Sequence, residues 1–244
     1  MIQFKNLILG LMLSLSGLQA QELYATFTVE AKQSANLAFT SSGTVNKVLV
    51  DVSSVVKKGD SLAELQNHDL KAALHISQTA LNFAKKEYQR QLKVKKLVDA
   101  SQFDSYIFKF ENAKAQLIYQ QALLNKTLLK APFDGMITQK SIEVGDVVSG
   151  AMIRTVFKIQ SIHARKIVLS FDQKYWKLVK KGQTFHYQLD GDSEKYSGKI
   201  SKVYPFADSG NRKIKAEVLA EDFIVGLFGE GYIEIPDLNA TEVK

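Results

Sequence analysis

Three hydrophobic patterns follow one another along this chain. From Leu23 to about Asn67, apolar and polar residues alternate in short runs. "LYATFTVE" and "TVNKVLVDV" read as strands, Gly43 opens a turn, and "KKGD" at Lys57 to Asp60 is a turn ahead of the short strand "SLAEL". Between about Asp69 and Lys126 there is neither proline nor glycine, and Ala, Gln, Lys, Leu and Glu dominate, so helix is the least costly conformation. From Ile162 onward strand-length segments return: "RKIVLSFD", "TFHYQLD", "KYSGKISKVYP", "KIKAEVLAE" and "GEGYIEI". "QKYWKLVKKG" between the first two reads as one short helix stopped by Gly182. Five or six short antiparallel strands with one small helix predict a small barrel.

The helical stretch carries a heptad in each half. Phe103, Ile107, Phe110, Lys114, Leu117, Gln121, Leu124 and Leu128 alternate spacings of four and three; Leu70, Leu74, Ser77, Leu81, Ala84 and Tyr88 do the same before the register turns polar at Gln91 and Lys95. Between the halves lies "LVDASQFD", where Asp99 or Ser101 can cap a new helix by accepting from free backbone N–H groups. The pattern predicts an antiparallel hairpin with arms of roughly 27 residues, about 40 Å each. Phe103, Tyr106 and Phe110 are expected in its seam. One narrow apolar seam suits a projecting hairpin better than helices laid on a core, which would need a wider apolar stripe.

The segments flanking the hairpin repeat one phrase. With Gly43 placed on Gly135, Val45 falls on Ile137, Val50 on Ile142, Asp51 on Glu143, Val52 on Val144, Val55 on Val147 and Val56 on Val148, while Ser53 meets Gly145. One half of a β-unit is thus written twice, and the unit closes only when the halves pair. A hairpin whose ends lie close together can stand between them without disturbing that pairing.

Charge and composition narrow the function classes. The formal net charge of +7 is spread along the chain and accompanies no nucleic-acid-binding motif, so no nucleic-acid partner is expected. "MIQFKN", the apolar run "LILGLMLSLSGL" and "QAQE" have the layout of a secretory signal over residues 1–20, with cleavage expected after Ala20. That run is too short to cross a bilayer comfortably, which takes roughly 20 residues. There is no cysteine, hence no disulfide scaffold, thiol chemistry or lipid-bearing cysteine. No nucleophile–base motif, phosphate-cradling glycine loop or His-Glu-x-x-His occurs, and His68 and His75 stand two helical turns apart, roughly 10 Å, too far to share one ion. The expectation is a protein that is not an enzyme, with no cofactor and no metal site.

In its split phrase with "VVKKGDSLAEL", its hairpin, "APFDGMI…EVGDVVSG" and the barrel segments "IVLSFDQKYWKLVKKGQ…YSGKISKVYPFAD…IKAEVLA", the chain resembles the periplasmic adaptors, or membrane fusion proteins, of bacterial tripartite efflux pumps. It is most similar to those serving transporters of the resistance-nodulation-division (RND) type. The resemblance implies a mainly β chain with an inserted α-helical hairpin, elongated and modular. Its expected parts are an N-terminal strand at 21–33 joining the barrel end, a lipoyl-like (barrel-sandwich hybrid) domain in two halves at 34–66 and 128–160, the hairpin at 67–127, an antiparallel β-barrel at 161–236 and a flexible tail at 237–244. A membrane-proximal domain is expected to be absent or vestigial. Lipoyl and biotinyl carriers share the β-unit but bear their modified lysine between the halves, where this chain reads "ELQNHDLK" and runs into helix.

The resemblance also implies partners: an inner-membrane RND transporter, a TolC-like outer-membrane channel, and self-association into a ring, expected to be a hexamer. The protein would lie in the periplasm and associate with the inner membrane through its protein partners, exporting drugs or other toxic compounds. An adaptor of an ABC-type exporter or of a type I secretion system is the alternative. Channel contact is expected at the hairpin tip, from Leu92, Asp99, Ser101 and Asp104, where Leu92 and Asp99 align with the family's leucine and serine and Tyr88 replaces its arginine. Metal-efflux adaptors often use methionines near the mature N-terminus; here only Met136 and Met152 follow the leader, which disfavours metal handling.

Overall fold

The computed structural model describes residues 21–97 and 99–236. The expected leader at 1–20 and the tail at 237–244 lie outside the described residues. In chain order come β1 (Gln21–Ala31), β2 (Ser34–Leu37), β3 (Gly43–Val48), β4 (Val55–Val56) and β5 (Ser61–Leu65), then α1 (His68–Lys93) and α2 (Ala100–Asn125). They are followed by β6 (Leu128–Lys130), β7 (Gly135–Lys140), β8 (Val147–Val148), β9 (Phe157–Gln160), β10 (Ala164–Asp172), β11 (Thr184–Leu189), β12 (Tyr196–Ala207), β13 (Lys213–Glu221) and β14 (Phe228–Ile235). Among the described residues two compact units result, one from 21–30 and 165–236, the other from within 31–164.

The first unit is a closed barrel in the order β1-β10-β13-β12-β11-β14. Strict alternation builds it: every second residue of β14 is buried, as are Leu23, Ala25, Phe27 and Val29 of β1. Their side chains meet Ile167, Leu169, Phe171, Phe185, Ile200 and Val218 in one core. Pairing of β1 with β14, from Gln21 opposite Ile235 to Thr28 opposite Phe228, closes the sheet on itself and leaves no free edge to recruit another chain. The segment read as a short helix is a single 3-10 turn, Gln173–Tyr175, whose first free N–H is met by Asp172. Val179 is buried in the barrel core, with Tyr175 and Leu178 packed against it, and holding the chain to the barrel wall leaves no room for an independent helix.

The second unit holds two four-stranded sheets, β2-β9-β7-β4 and β6-β5-β3-β8, around a core that includes Val45, Val56, Leu62, Leu65, Ile137, Ile142, Phe157 and Ile159. The repeat in the sequence becomes reciprocal pairing in space. Gly43 and Thr44 of β3 pair with Val148 and Val147; Gly135 and Met136 of β7 pair with Val56 and Val55. The turns match bond for bond. Val45 N–H donates to the Asp146 carbonyl (2.8 Å) and Ile137 N–H to the Ser54 carbonyl (3.0 Å), while Gly145 N–H donates to Val45 (3.0 Å) and Ser53 N–H to Ile137 (2.8 Å). Ser53 (φ 69°) and Gly145 (φ 96°) both take the left-handed conformation that this turn requires.

Between the halves stand α1 and α2, each of 26 residues and hence about 39 Å long. The α1 seam is as the heptad predicts: Leu70, Leu74, Ser77, Leu81, Ala84 and Tyr88 are all turned from solvent. The α2 seam follows a shifted pattern. Phe103, Phe110, Leu117 and Leu124 lie in it, but the alternate positions are Tyr106, Ala113 and Gln120 in place of Ile107, Lys114 and Gln121, which are exposed. The shift keeps the Lys114 ammonium in water and lets small Ala113 face the small residues of α1, so the two backbones can approach.

Candidate functional site

Two regions of the hairpin carry polar chemistry, its base and its tip. At the base, α1 begins just after β5, so no turn separates strand from helix. Asn67 caps α1 by position, yet its side chain makes no capping bond. Its buried amide instead donates to Thr127 Oγ1 (3.0 Å), where the chain returns from α2, and to Glu64 Oε1 (3.0 Å). Thr127 passes its own proton to the Leu124 carbonyl (2.7 Å) at the end of α2, which also accepts from the Thr127 N–H (3.0 Å). Lys71 reaches Glu64 at 2.8 Å, and this hydrogen bond, with that from Asn67, holds the Glu64 carboxyl below its ordinary range despite the opposing effect of burial. The base is thus a polar clasp joining both ends of a 60-residue insertion. Sequence reading missed it, because a lone Asn and a lone Thr so far apart carry no periodic signal.

The tip is built from a stiff aromatic layer and a free rim. Tyr88 stacks on Phe110 with ring centroids 5.4 Å apart and 6° between planes, and Phe103 completes the trio at 6.0 Å from Tyr88. Lys95 Nζ sits 5.0 Å from the centroid of the Phe103 ring. Tyr88, aligned with the family's tip arginine, is therefore engaged in packing within the hairpin. Arg90 pairs with Glu87 and, with Gln91, holds that carboxyl below its ordinary range.

Of the four expected contact residues, Leu92 lies exposed in the last turn of α1, with Val94 beside it also exposed. Asp99 is the N-cap of α2: its Oδ1 accepts from the N–H groups of Ser101 (2.8 Å) and Gln102 (3.3 Å). Of the two candidates for that cap, Asp99 fills it. Ser101 lies exposed in the first turn of α2 and Asp104 exposed just after it. The structure therefore gathers all four at one end of the hairpin. With Arg90, Lys93, Lys95 and Lys96 around them, the rim is apolar at Leu92 and Val94 and basic elsewhere, with Asp99 and Asp104 as its acidic members. His68 and His75 lie exposed along α1, at the other end from the tip.

Further apolar side chains lie exposed away from the tip. Along the hairpin these include Ile76, Phe83, Phe108 and Ile118; on the sandwich they include the symmetry-related pairs Val52 and Val144, and Val55 and Val147.

Comparison with known proteins gives a consistent picture. The CzcB-like barrel-sandwich hybrid domain matches residues 33–160. The chain is 25% identical over 219 residues to an uncharacterized protein of Haemophilus influenzae, covering 86% of this chain and 57% of that one. It is 27% identical over 195 residues to the cobalt-zinc-cadmium resistance protein CzcB of Cupriavidus metallidurans, covering 72% of this chain and 37% of the relative. The chain thus spans between about a third and three-fifths of the length of these curated relatives. In fold it is similar to a MacA-MexA chimeric protein containing the Pseudomonas aeruginosa MexA α-hairpin domain, with a TM-score of 0.81 and 23% identity over 89% of this chain and 83% of that one.

Proposed function

We propose, from the premise that this chain belongs to the CzcB-like barrel-sandwich hybrid family of membrane fusion proteins, that it is the periplasmic adaptor of a bacterial efflux system. It would work without catalysis, as a connector between an inner-membrane RND transporter and a TolC-like outer-membrane channel. The observation that carries this reading is the pairing of a split, reciprocally closed sandwich with an inserted hairpin whose far end is exposed, apolar and basic. A rigid arm tied at its base by the Asn67 clasp and stiffened below its tip by Tyr88, Phe103 and Phe110 can hold a docking surface about 39 Å from its root. In this reading Leu92 makes the apolar contact and Ser101 and Asp104 offer polar groups to the channel, while Asp99 keeps the first turn of α2 in shape.

Assembly into a ring, a hexamer in this reading, is supported by the exposed valines of the sandwich and by Ile76, Phe83 and Phe108 along the hairpin, since apolar side chains left in water mark surfaces that a neighbour covers. Two substrate classes follow from the family. Drugs and other toxic organic compounds are one; the name of the Cupriavidus relative, a cobalt-zinc-cadmium resistance protein, favours divalent metal cations as the other.

The test is a gene deletion in the native host, complemented with the intact chain or with one lacking residues 90–105. Restored resistance with the intact chain only, and crosslinking from position 92 to an outer-membrane channel, is the expected result. Growth curves in cobalt, zinc and cadmium against a panel of hydrophobic drugs then separate the substrate classes. Full resistance from the tip-deleted chain would overturn the adaptor reading.

A further inference from the structure

We propose that one end of the barrel docks on a bilayer surface rich in anionic phospholipid, with Trp176 and Phe206 entering the headgroup layer and a ring of lysines meeting the phosphates. Two segments distant in sequence form this surface. β10 ends at Asp172, and the following turn is tied to the β12–β13 connection by Gln173 N–H donating to the Arg212 carbonyl (3.1 Å), while Ala207 pairs with Ile214. Together they line an open cleft walled by Trp176, Val203, Pro205, Phe206 and Ile214. Trp176 is 62% exposed and Phe206 63%, and both wall this one cleft. The patch lies at the C-terminal end of β10, whereas the chain enters the barrel at that strand's N-terminal end.

Charge decides what fits there. Residues 172–181 carry Lys174, Lys177, Lys180 and Lys181 against Asp172 alone; residues 202–214 carry Lys202, Arg212 and Lys213 against Asp208 alone. These two segments therefore hold five of the chain's formal net charge of +7. The two aspartates are engaged locally, Asp172 accepting from Lys174 N–H and Asp208 from Gly210 N–H. Glu217, the nearest strand carboxylate, is engaged by Tyr204 Oη (2.6 Å) and Lys166 Nζ (3.1 Å).

The aromatic residues and the lysines are interleaved. Lys174 Nζ lies 4.9 Å from the Tyr175 ring centroid, Lys177 Nζ 5.3 Å from that of Trp176, and Lys202 Nζ 5.1 Å from that of Tyr204, whose ring is 5.5 Å from that of Phe206. A protein-binding face is enriched in aromatic residues but depleted in lysine. Exposed Trp and Phe beside part-buried Tyr, flanked by lysines, suit the headgroup layer, where rings sit at the apolar boundary and long cationic side chains reach the phosphates. This contact is direct, in addition to any attachment through protein partners, and stands independently of the efflux reading.

Trp176 is the single tryptophan of the chain, so its emission reports this surface alone. The full chain is titrated with vesicles of phosphatidylcholine, with and without a substantial fraction of phosphatidylglycerol. A blue shift of Trp176 emission on the anionic vesicles only, reversed by raised salt, is expected. Each basic residue near an anionic surface contributes about fivefold in affinity. The double variant Lys174→Glu/Lys177→Glu should therefore raise the half-saturating lipid concentration by about tenfold or more at an unchanged melting temperature. Phe206→Ser should weaken binding with charge and fold intact. No shift on either vesicle, an equal shift on neutral vesicles, or sedimentation with vesicles while Trp176 stays water-exposed would overturn the proposal. So would shielding of Trp176 that requires a membrane protein in the vesicle.

Discussion

Asn67 and Thr127 are 60 residues apart in sequence and joined by a buried 3.0 Å hydrogen bond, at the point where the hairpin leaves the sandwich and where it returns. Asn67→Ala removes that bond and the one to Glu64, leaving the buried Thr127 oxygen without its donor and Glu64 with Lys71 alone. A loss of about 1–3 kcal/mol is expected. Urea denaturation measures it, and amide exchange should show the first turn of α1 and the last turn of α2 losing protection together. Loss confined to one helix would show that the two ends are not coupled.

Stability should also depend on pH through the same clasp. The Glu64 carboxyl is held below its ordinary range, chiefly by its hydrogen bond from Lys71. A carboxyl depressed by folding contributes stability above its ordinary pKa and loses it as pH falls through the folded-state value. Thermal melts of wild type and Glu64→Gln should differ at pH 7 and converge as the pH is taken below the ordinary carboxylate range. A difference that grows on acidification would contradict this assignment.

Gly43 and Gly135 are equivalent in the repeat but not in their surroundings. A Cβ on Gly135 would lie 2.5 Å from the Gln160 carbonyl oxygen and 2.9 Å from Ile159 Cγ1; on Gly43 it would approach Leu65 Cδ1 at 3.4 Å. Gly135→Ala should cost about 2 kcal/mol or more by forcing β7 away from β9. Gly43→Ala should stay within about 0.5 kcal/mol of wild type. Chemical denaturation of the two variants side by side decides it.

At the tip, packing and docking should separate. Tyr88→Ala breaks the stack with Phe110 and Phe103 and should cost about 2–3 kcal/mol. Leu92→Ala, at an exposed position, should leave stability within about 0.5 kcal/mol while reducing crosslinking to an outer-membrane channel in cells. Thermal melts and crosslinking yields of the two variants should therefore be affected in opposite order.

Much of this fold was legible because its signals are periodic. The two-residue period of β14 and the repeat joining Gly43 to Gly135 are plain sequence patterns, and the repeat anticipated that the two halves pair, though not which strands do so. The hairpin was legible for the same reason, and its second seam only in part. Phe103, Phe110, Leu117 and Leu124 stood out, but a run of apolar residues cannot say whether Tyr106 or Ile107 fills the intervening place, and the fold chose the set that leaves Lys114 in water. What escaped is what depends on three-dimensional coincidence. The Asn67–Thr127 bond joins single polar residues. The cations around Trp176 and Phe206 look scattered in sequence until the β10 turn is tied against the β12–β13 connection. The segment after Asp172 had helical composition, but the pull of Val179 into the barrel overrode it.

The reciprocal closure of the sandwich has a consequence in time. Val55 and Val56 find their partners only at Met136 and Gly135, ~80 residues later in the chain. Until they do, the first half has strand edges unpaired. The intervening residues form a local hairpin far sooner, since helix formation and short loop closure take microseconds or less. Its formation carries Lys126 and Thr127 back beside Asn67 and shortens the effective loop that the second half must close. The arm therefore acts first as a folding guide, delivering the late half of the sandwich to the early one.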